Sequence, residues 1–198
     1  MKSIFEIKNQ EIIYEVLDRA DYGTLAICKE GMPYSLPLNF VRISKSLYFH
    51  GSKNGKKMDI LRENPLASFS VVEPYSIISS YFSSNENLAC PATHFFKSII
   101  IDGKIEFIKN FDEKTQALEA LMKKLQKEGG YKALEDKVYK NIIDAITIYR
   151  LKIDNIGAKF KFGQHLTKER WDMIIEHLQK RGDKKDIETV KLMRSFRP

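Results

Sequence analysis

Apolar and polar residues alternate in short runs along most of the chain, and such runs predict β-strands. Asp102-Gly103 separates two of these runs and favours a type I′ turn, so we expect a hairpin there. Residues 73–91 show no period and are predicted to form a loop. The predicted strands are residues 24–28, 33–41, 47–50, 66–72, 93–101, 104–108 and 145–153, the last continuing to Phe162.

The second predicted strand is unusual because it contains two prolines, Pro33 and Pro37. Each proline removes a backbone N–H donor, and prolines within sheets are therefore confined mainly to edge strands. We expect this strand to lie at an edge of the sheet or to present its backbone to a ligand.

Apolar residues recur about every 3.6 positions in other segments, which predicts helices. Thr167 is expected to cap one of these helices and Gly182 to end it. Strands and helices together predict a single domain, residues 1–198, that is mainly β with peripheral helices. The strands are expected to form a six- to seven-stranded antiparallel barrel, and residues 165–198 a C-terminal helical appendage. The predicted helices are residues 9–20, a short helix ending at Asn64-Pro65, one capped by Asn110 or Asp112, a short helix within 131–144, 168–180 and 186–195.

The composition is that of an ordinary globular protein with a basic excess. The 198 residues include 33 Lys and Arg against 26 Asp and Glu, a net charge of +7 spread over the whole chain. No Arg-rich helix, zinc-ligand set or aromatic-basic repeat accompanies this charge, so we expect no nucleic-acid binding. No stretch approaches 18 apolar residues, so we expect no membrane segment and a soluble, cytoplasmic protein.

Two cysteines, Cys28 and Cys90, have no metal-ligand spacing and are too few for a disulfide framework. This usage fits a reducing compartment, and no metal is expected. Cys90 lies in the predicted loop, where it is either a reactive thiol or a small packing residue.

Residues 47–65 combine a strand, a basic turn between Gly51 and Gly55, and a short helix. Such a turn brings backbone N–H groups and cationic side chains to a helix N-terminus, which suits a phosphate. The alternative is a solvated lysine-rich turn without a ligand. The candidate phosphate ligands are Ser52, Lys56 and Lys57.

Five ordered segments resemble the FMN-binding split-barrel flavoproteins related to pyridoxamine 5′-phosphate oxidase. The likeness is greatest to the nitroimidazole-resistance, or Nim-type, subgroup. The segments read YGTLA, PYSLPLNF, LYFHGS and GKK, followed after Cys90 by SIIIDGK.

The resemblance implies one FMN per subunit at a homodimer interface. It implies that the backbone of Leu36, Pro37, Leu38 and Asn39 lines the flavin ring, and that His50 and Gly51 lie beside the ring or the ribityl chain. Lys56 and Lys57 would hold the phosphate, and Ser98 would reach the cofactor with its side chain.

The function implied is an FMN-dependent oxidoreductase that reduces a small-molecule substrate such as a nitroaromatic or a quinone. His50 is the candidate catalytic residue, as proton donor or substrate contact; the alternative is a structural histidine at a strand end. The C-terminal tryptophan and arginine arrangement of the vitamin B6 oxidases is not found, so pyridoxamine 5′-phosphate oxidation is the less expected activity. Two further hypotheses are a non-catalytic flavin-binding or storage protein and a haem-degrading relative.

Overall fold

The computed structural model describes residues 2–86 and 88–196, which form one β-sheet and peripheral helices. The strands are β1 (Glu6–Ile7), β2 (Tyr22–Lys29), β3 (Met32–Asn39), β4 (Val41–Ile43), β5 (Ser46–Gly51), β6 (Leu66–Ile78), β7 (Thr93–Phe107) and β8 (Thr147–Lys161). The helices are α1 (Gln10–Arg19), α2 (Lys56–Glu63), α3 (Phe111–Leu125), α4 (Lys140–Ala145), α5 (Lys168–Arg181) and α6 (Lys184–Ser195). Among the described helices, none is long and apolar enough to cross a membrane.

The strand order is β3-β2-β6-β7-β8-β5-β4, with β1 paired to β8. Strands β2 and β3 form an antiparallel hairpin in which Lys29 pairs with Met32 across a two-residue turn. Strand β5 pairs antiparallel with β8, placing Phe49 opposite Tyr149. Strand β3 ends the order, so the edge position predicted from its two prolines is confirmed.

The chain divides into two compact units by its internal contacts. The first unit comprises residues 1–16, 72–99 and 157–198, and the second comprises 17–71 and 100–156. In the second unit, the buried rings of Phe40 and Phe49 contact Phe69 edge-on, with centroids 5.0 and 5.3 Å away. In the first unit, Phe162 stacks on Phe196, with centroids 5.7 Å apart. Each unit therefore has its own aromatic core.

Helix α5 shows the predicted cap at each end. The Thr167 side chain accepts a hydrogen bond from the Arg170 backbone N–H, and Gly182 adopts the left-handed conformation that ends the helix. The buried face of the helix consists of Trp171, Ile174, Ile175 and Leu178. The amphipathic pattern therefore predicted both the extent and the orientation of this helix.

Helix α6 is held by a buried acid, Asp186, in the first unit. Asp186 is 1% exposed and accepts hydrogen bonds from the Ser76 hydroxyl at 2.6 Å and from Arg181 Nε at 2.7 Å. The hydrogen bond from the Arg181 guanidinium lowers the pKa of Asp186. Burial raises that pKa by a smaller amount, so the pKa stays below its ordinary value. The start of α6 is thus fixed to β6 by a charge-assisted network.

A second charged network connects α3 to the sheet in the second unit. Arg150 on β8 donates to Glu106 at 2.8 Å and to Glu113 at 2.7 Å. Glu113 also accepts from the Tyr48 hydroxyl at 2.9 Å. These contacts join β5, β7, β8 and the first turn of α3.

The loop predicted for residues 73–91 is wrong for its first six residues, because β6 continues to Ile78. Alternation is interrupted there, since the neighbouring residues Tyr75 and Ser76 are both buried while Pro74 is exposed. A change of phase of this kind removes the period of two by which a strand is recognised in sequence.

The hairpin predicted at Asp102-Gly103 is also wrong, because β7 runs through both residues without a turn. Gly103 occupies a buried position of the strand, where an added Cβ would lie 1.9 Å from the Lys152 carbonyl oxygen. The glycine therefore permits a close approach of β8 and does not serve a turn. The predicted strand 33–41 is likewise divided, into β3 and β4.

Candidate functional site

The turn between β5 and α2 is built around Gly55, whose φ of 111° favours glycine. Gly55 caps α2 without a side chain, and its carbonyl accepts the Met58 N–H at 2.8 Å. Within the turn, the Ser52 hydroxyl accepts from the Asn54 N–H at 3.3 Å, and Arg62 donates to the Lys53 carbonyl. The turn is thus anchored at both ends while the helix start has no side-chain cap.

Lys57, in the first turn of α2, carries the central charge of the site. Its Nζ lies 5.0 Å from the centre of the Tyr149 ring. A Cβ added at Gly51 would lie 3.1 Å from the same Nζ, so glycine leaves room around the ammonium. Burial lowers the pKa of Lys57, and no carboxylate of the described residues offsets that effect. A half-buried cation without an acidic partner is suited to an anionic ligand.

Two buried polar atoms near Lys57 have no hydrogen-bond partner among residues 2–86 and 88–196: Nδ1 of His50 and the hydroxyl of Tyr149. Burial lowers the pKa of His50, and repulsion from the Lys57 charge lowers it further. Burial alone raises the pKa of Tyr149. Buried polar atoms are almost always satisfied in folded proteins, so these two atoms are exceptions that lie in the same part of the second unit as Lys57.

The predicted ring-lining residues lie on β3, in the second unit. Leu36, Leu38 and Asn39 are half-buried, and Pro37 is exposed. Their antiparallel partners on β2 are Leu25, Thr24, Gly23 and Tyr22. Because β3 ends the strand order, the backbone groups on its outer side have no strand partner among the described residues.

The two lysines predicted to act together have different neighbours. Lys57 lies over Tyr149 on β8, whereas Lys56 Nζ lies 4.5 Å from the Tyr34 ring on β3. Successive residues of a helix point about 100° apart, which explains this divergence. The structure therefore groups Lys57 with His50 and Gly51.

Two further residues were predicted to contact the cofactor, Ser52 and Ser98. Ser52 is exposed and bonded within its own turn, and Ser98 is half-buried on β7 in the first unit. Cys90 is an exposed free thiol in the first unit. No cluster of three or more metal-ligating side chains occurs in the part of the chain that the structure describes.

Tyr149 is the residue that sequence reasoning missed. It is fully buried, it stacks on Phe49 with ring centroids 5.3 Å apart, and it presents its face to Lys57. Its position follows from the register of β5 against β8. No local pattern around residue 149 reveals that register, so no sequence signal could have placed it.

Known proteins resemble this chain in sequence and in fold. The sequence profile of the family described as pyridoxamine 5′-phosphate oxidase matches residues 9–160. Over 200 residues the chain is 24% identical to protease synthase and sporulation protein PAI 2 of Bacillus subtilis, covering 96% of this chain and 93% of that protein.

Two solved structures show the same fold. A candidate 5-nitroimidazole antibiotic resistance protein from Bacteroides thetaiotaomicron is 22% identical with a TM-score of 0.64, over 78% of this chain and 85% of that one. An FAD and haem binding protein from Mycobacterium smegmatis is 24% identical with a TM-score of 0.66, over 79% of this chain and 73% of that one. The predicted split-barrel fold is thereby confirmed.

Proposed function

Because the chain belongs to the pyridoxamine 5′-phosphate oxidase family, we propose that it binds flavin through the FMN moiety and is a Nim-type oxidoreductase of small acceptors such as nitroaromatics or quinones. The observation that carries the proposal is the half-buried Lys57, whose Nζ lies over the Tyr149 ring and next to Gly51, and which has no acidic partner in the described chain. Lys57 fits a flavin phosphate, since it supplies a cation next to the space that Gly51 leaves.

Lys57 binds the phosphate in this proposal. A phosphate next to the Lys57 ammonium replaces the stabilisation that the charge loses when burial removes its hydration. A charge-assisted hydrogen bond of this kind contributes about 1.5–3 kcal/mol. The uncapped start of α2 adds backbone N–H groups directed at the same anion. Tyr149 forms one wall of the position with its ring, which faces Lys57.

The outer edge of β3 orients the ring in this proposal, through backbone groups of residues 36–39 that have no strand partner in the described part of the chain. Bound flavin supplies electron or hydride transfer to an acceptor, so the protein needs no nucleophile of its own. Burial keeps the pKa of His50 below its ordinary value, so the ring is mostly neutral at pH 7 and has one N–H donor and one acceptor nitrogen.

We also propose a homodimer. The support is apolar surface in the second unit, where Tyr22 is 64% and Met32 is 71% exposed. The end of β6 adds little apolar surface, because Tyr75, Ser76 and Ile78 are buried there while Ile77 is exposed. A light-scattering mass near 46 kDa, twice the 23.0 kDa of one chain, is expected; a mass of one chain with flavin bound would contradict it.

Flavin binding is tested by fluorescence titration of the full chain with FMN. Lys57→Met should weaken FMN binding by about tenfold to a hundredfold, as expected for the loss of one charge-assisted contact. Lys45→Met is the matched control, because Lys45 is an exposed lysine on the β4–β5 turn. Absence of FMN binding to the wild type, or equal affinities of the two variants, would contradict the proposal.

Turnover is tested by stopped-flow reoxidation of the anaerobically reduced protein. A nitroimidazole or a quinone should reoxidise it faster than oxygen does. Reoxidation no faster than by oxygen with every acceptor would favour the storage protein. The absorption spectrum tests for a haem-degrading relative, because haem and flavin absorb at different wavelengths, and added pyridoxamine 5′-phosphate tests for a vitamin B6 oxidase.

A further inference from the structure

The first unit gathers basic side chains from four separate segments: the N-terminal turn, the end of β8, the turn that follows it and the start of α5. Lys2 and His165 are exposed, whereas Lys159, Lys161 and Arg170 are half-buried. None of the five has an ion pair among residues 2–86 and 88–196. We call these five residues the basic cluster. Its members lie far apart in the sequence, so the charge looks evenly spread until the chain folds.

The buried ring of Phe5 connects members of the basic cluster. It meets the His165 ring edge-on, with centroids 5.4 Å apart, and Lys159 Nζ lies 5.6 Å from its centre. The Phe5 N–H donates to the Lys2 carbonyl at 3.2 Å. Phe5 therefore joins the N-terminal turn to β8 and to the turn after it.

The turn after β8 is held by the buried side chain of Gln164. Its Oε1 accepts the Phe162 N–H at 2.7 Å, and its Nε2 donates to the Phe160 carbonyl at 2.8 Å. These two bonds fix the backbone between Lys161 and His165. The positions of both cations are therefore set before any ligand binds.

Two side chains of the basic cluster are also held in place by neutral groups. Lys161 donates to the Thr93 hydroxyl. Arg170 Nε donates to the Ser83 carbonyl at 3.0 Å, and its Nη2 donates to the Ser83 hydroxyl at 3.3 Å. Neither positive charge is neutralised by these contacts, and each cation keeps further N–H donors. Side chains that are already ordered lose less conformational entropy when a ligand binds.

The cations of the cluster repel one another. Burial lowers the pKa of His165, and the charge of Lys161 lowers it further. Lys2 and Arg170 act in the same direction, and no carboxylate of the described residues offsets them. Burial, followed by the charge of Lys159, likewise lowers the pKa of Lys161. A bound anion would relieve this repulsion.

Strand register places an acid opposite the cluster, but that acid is engaged elsewhere. Glu6 on β1 pairs with Lys159 on β8, and the ion pair of Glu6 is with Lys8, at 4.0 Å. The cluster therefore keeps an excess of positive charge.

We propose that the basic cluster binds the phosphate group of a phosphorylated small molecule. A phosphate monoester is compact and carries a charge of about −1.5 to −2 at pH 7, which suits cations that meet at one turn. A nucleic-acid backbone is instead bound by basic groups that follow it along a groove. The inference does not depend on the proposed function, because the cluster shares no residue with the Lys57 position.

The test is a titration of the full chain with inorganic phosphate and with sulfate, followed by NMR of the histidine ring protons. Either anion should shift the His165 resonances to saturation and raise the pKa of His165, because it offsets the neighbouring cations. Sulfate remains a dianion in mildly acidic solution, so its affinity should increase as the pH falls and His165 gains its proton. The resonances of His177, which stacks on Phe82, should not respond.

Variants separate the basic cluster from general surface charge. Lys161→Met and Lys2→Met should each weaken phosphate binding by about tenfold or more, as expected for the loss of one charge-assisted contact. Lys191→Met is the matched control, because Lys191 is an exposed lysine on α6 in the same unit. Its phosphate affinity should stay within about twofold of the wild type. Lys2 is exposed, so Lys2→Met supplies the comparison even if Lys161→Met does not fold.

The proposal is overturned if neither anion shifts His165 to saturation, or if Lys2→Met and Lys161→Met bind phosphate as Lys191→Met does. It is also overturned if Lys161→Met weakens FMN binding as much as phosphate binding, because the cluster would then belong to the flavin position. Tighter binding of a single-stranded oligonucleotide than of phosphate, lost in the same variants, would overturn it in favour of a nucleic acid. Phosphate binding that depends on Lys161, in a protein that fails to bind FMN, would refute the proposed function and leave this inference standing.

Discussion

Replacing Gly103 with alanine should destabilise the protein strongly, and the size of the effect follows from the approach of β7 to β8. An added Cβ would lie 1.9 Å from the Lys152 carbonyl oxygen and 3.0 Å from the carbonyl carbon. Ordinary van der Waals contact begins near 3.4 Å. The strands would have to separate by roughly 1.5 Å there, a distance that disrupts ladder hydrogen bonds on either side.

Overpacking of a buried position costs about 1–3 kcal/mol and more where backbone must move. Alanine also restricts the unfolded chain and recovers about 0.4–1 kcal/mol. We therefore expect Gly103→Ala to lower the free energy of unfolding by about 3 kcal/mol, equivalent to a fall in Tm of about 6–12 °C for a chain of this size. Urea unfolding followed by circular dichroism measures the first quantity, and a thermal melt the second.

Gly157→Ala is the matched control on β8, since a Cβ at Gly157 meets nothing within 4 Å. It should leave stability unchanged or raise it by about 0.4–1 kcal/mol. The reasoning is refuted if Gly103→Ala stays within about 0.5 kcal/mol of the wild type, or if the two variants lose equal stability.

Three further perturbations test the other networks. Asp186→Ala leaves the Arg181 guanidinium and the Ser76 hydroxyl without their buried acceptor. Urea unfolding should therefore show that the free energy of unfolding falls by about 3 kcal/mol, and an unchanged midpoint would contradict a stabilising role of this network. Arg150→Met leaves Glu106 and Glu113 without their cation. The same assay should show the free energy of unfolding lowered by about 1–2 kcal/mol. A decrease no larger than that for a typical surface ion pair would mean that the network does not stabilise the fold. Burial lowers the pKa of His50 from its ordinary 6.5, so the unfolded chain binds more protons near that pH, and the free energy of unfolding should fall as the pH decreases through 6.5. His50→Gln should reduce this dependence of the unfolding free energy on pH between about pH 7 and 5. An identical dependence in the variant would show that His50 does not cause it.

Features set by local chemistry could be predicted from the sequence. The ends of α5 followed from Thr167 and Gly182, and the edge position of β3 followed from Pro33 and Pro37. The prediction of a phosphate-type turn also placed Gly55 correctly at the start of α2. Each of these depends on residues within a few positions of one another.

Features set by pairing between distant strands could not be predicted. Gly103 looked like a turn glycine because its partner, Lys152, lies about 50 residues away. Tyr149 was missed for the same reason, since Lys57 meets it only through the register of β5 and β8. The divergence of Lys56 from Lys57, by contrast, was open to prediction from helix geometry alone.

The pairing of β5 with β8 sets the order of events during synthesis. Strand β5 ends at Gly51, and its partner begins at Thr147. At a translation rate of about 5–20 residues per second, the intervening chain takes about 5–20 s to emerge. Until then, His50 and Gly51 lie on a strand without this neighbour, and Lys57 has no Tyr149 beneath it. A nascent chain with fewer than about 150 residues outside the ribosome therefore lacks the contact between Lys57 and Tyr149, and a ligand at the proposed position would assist folding only after most of the protein has emerged.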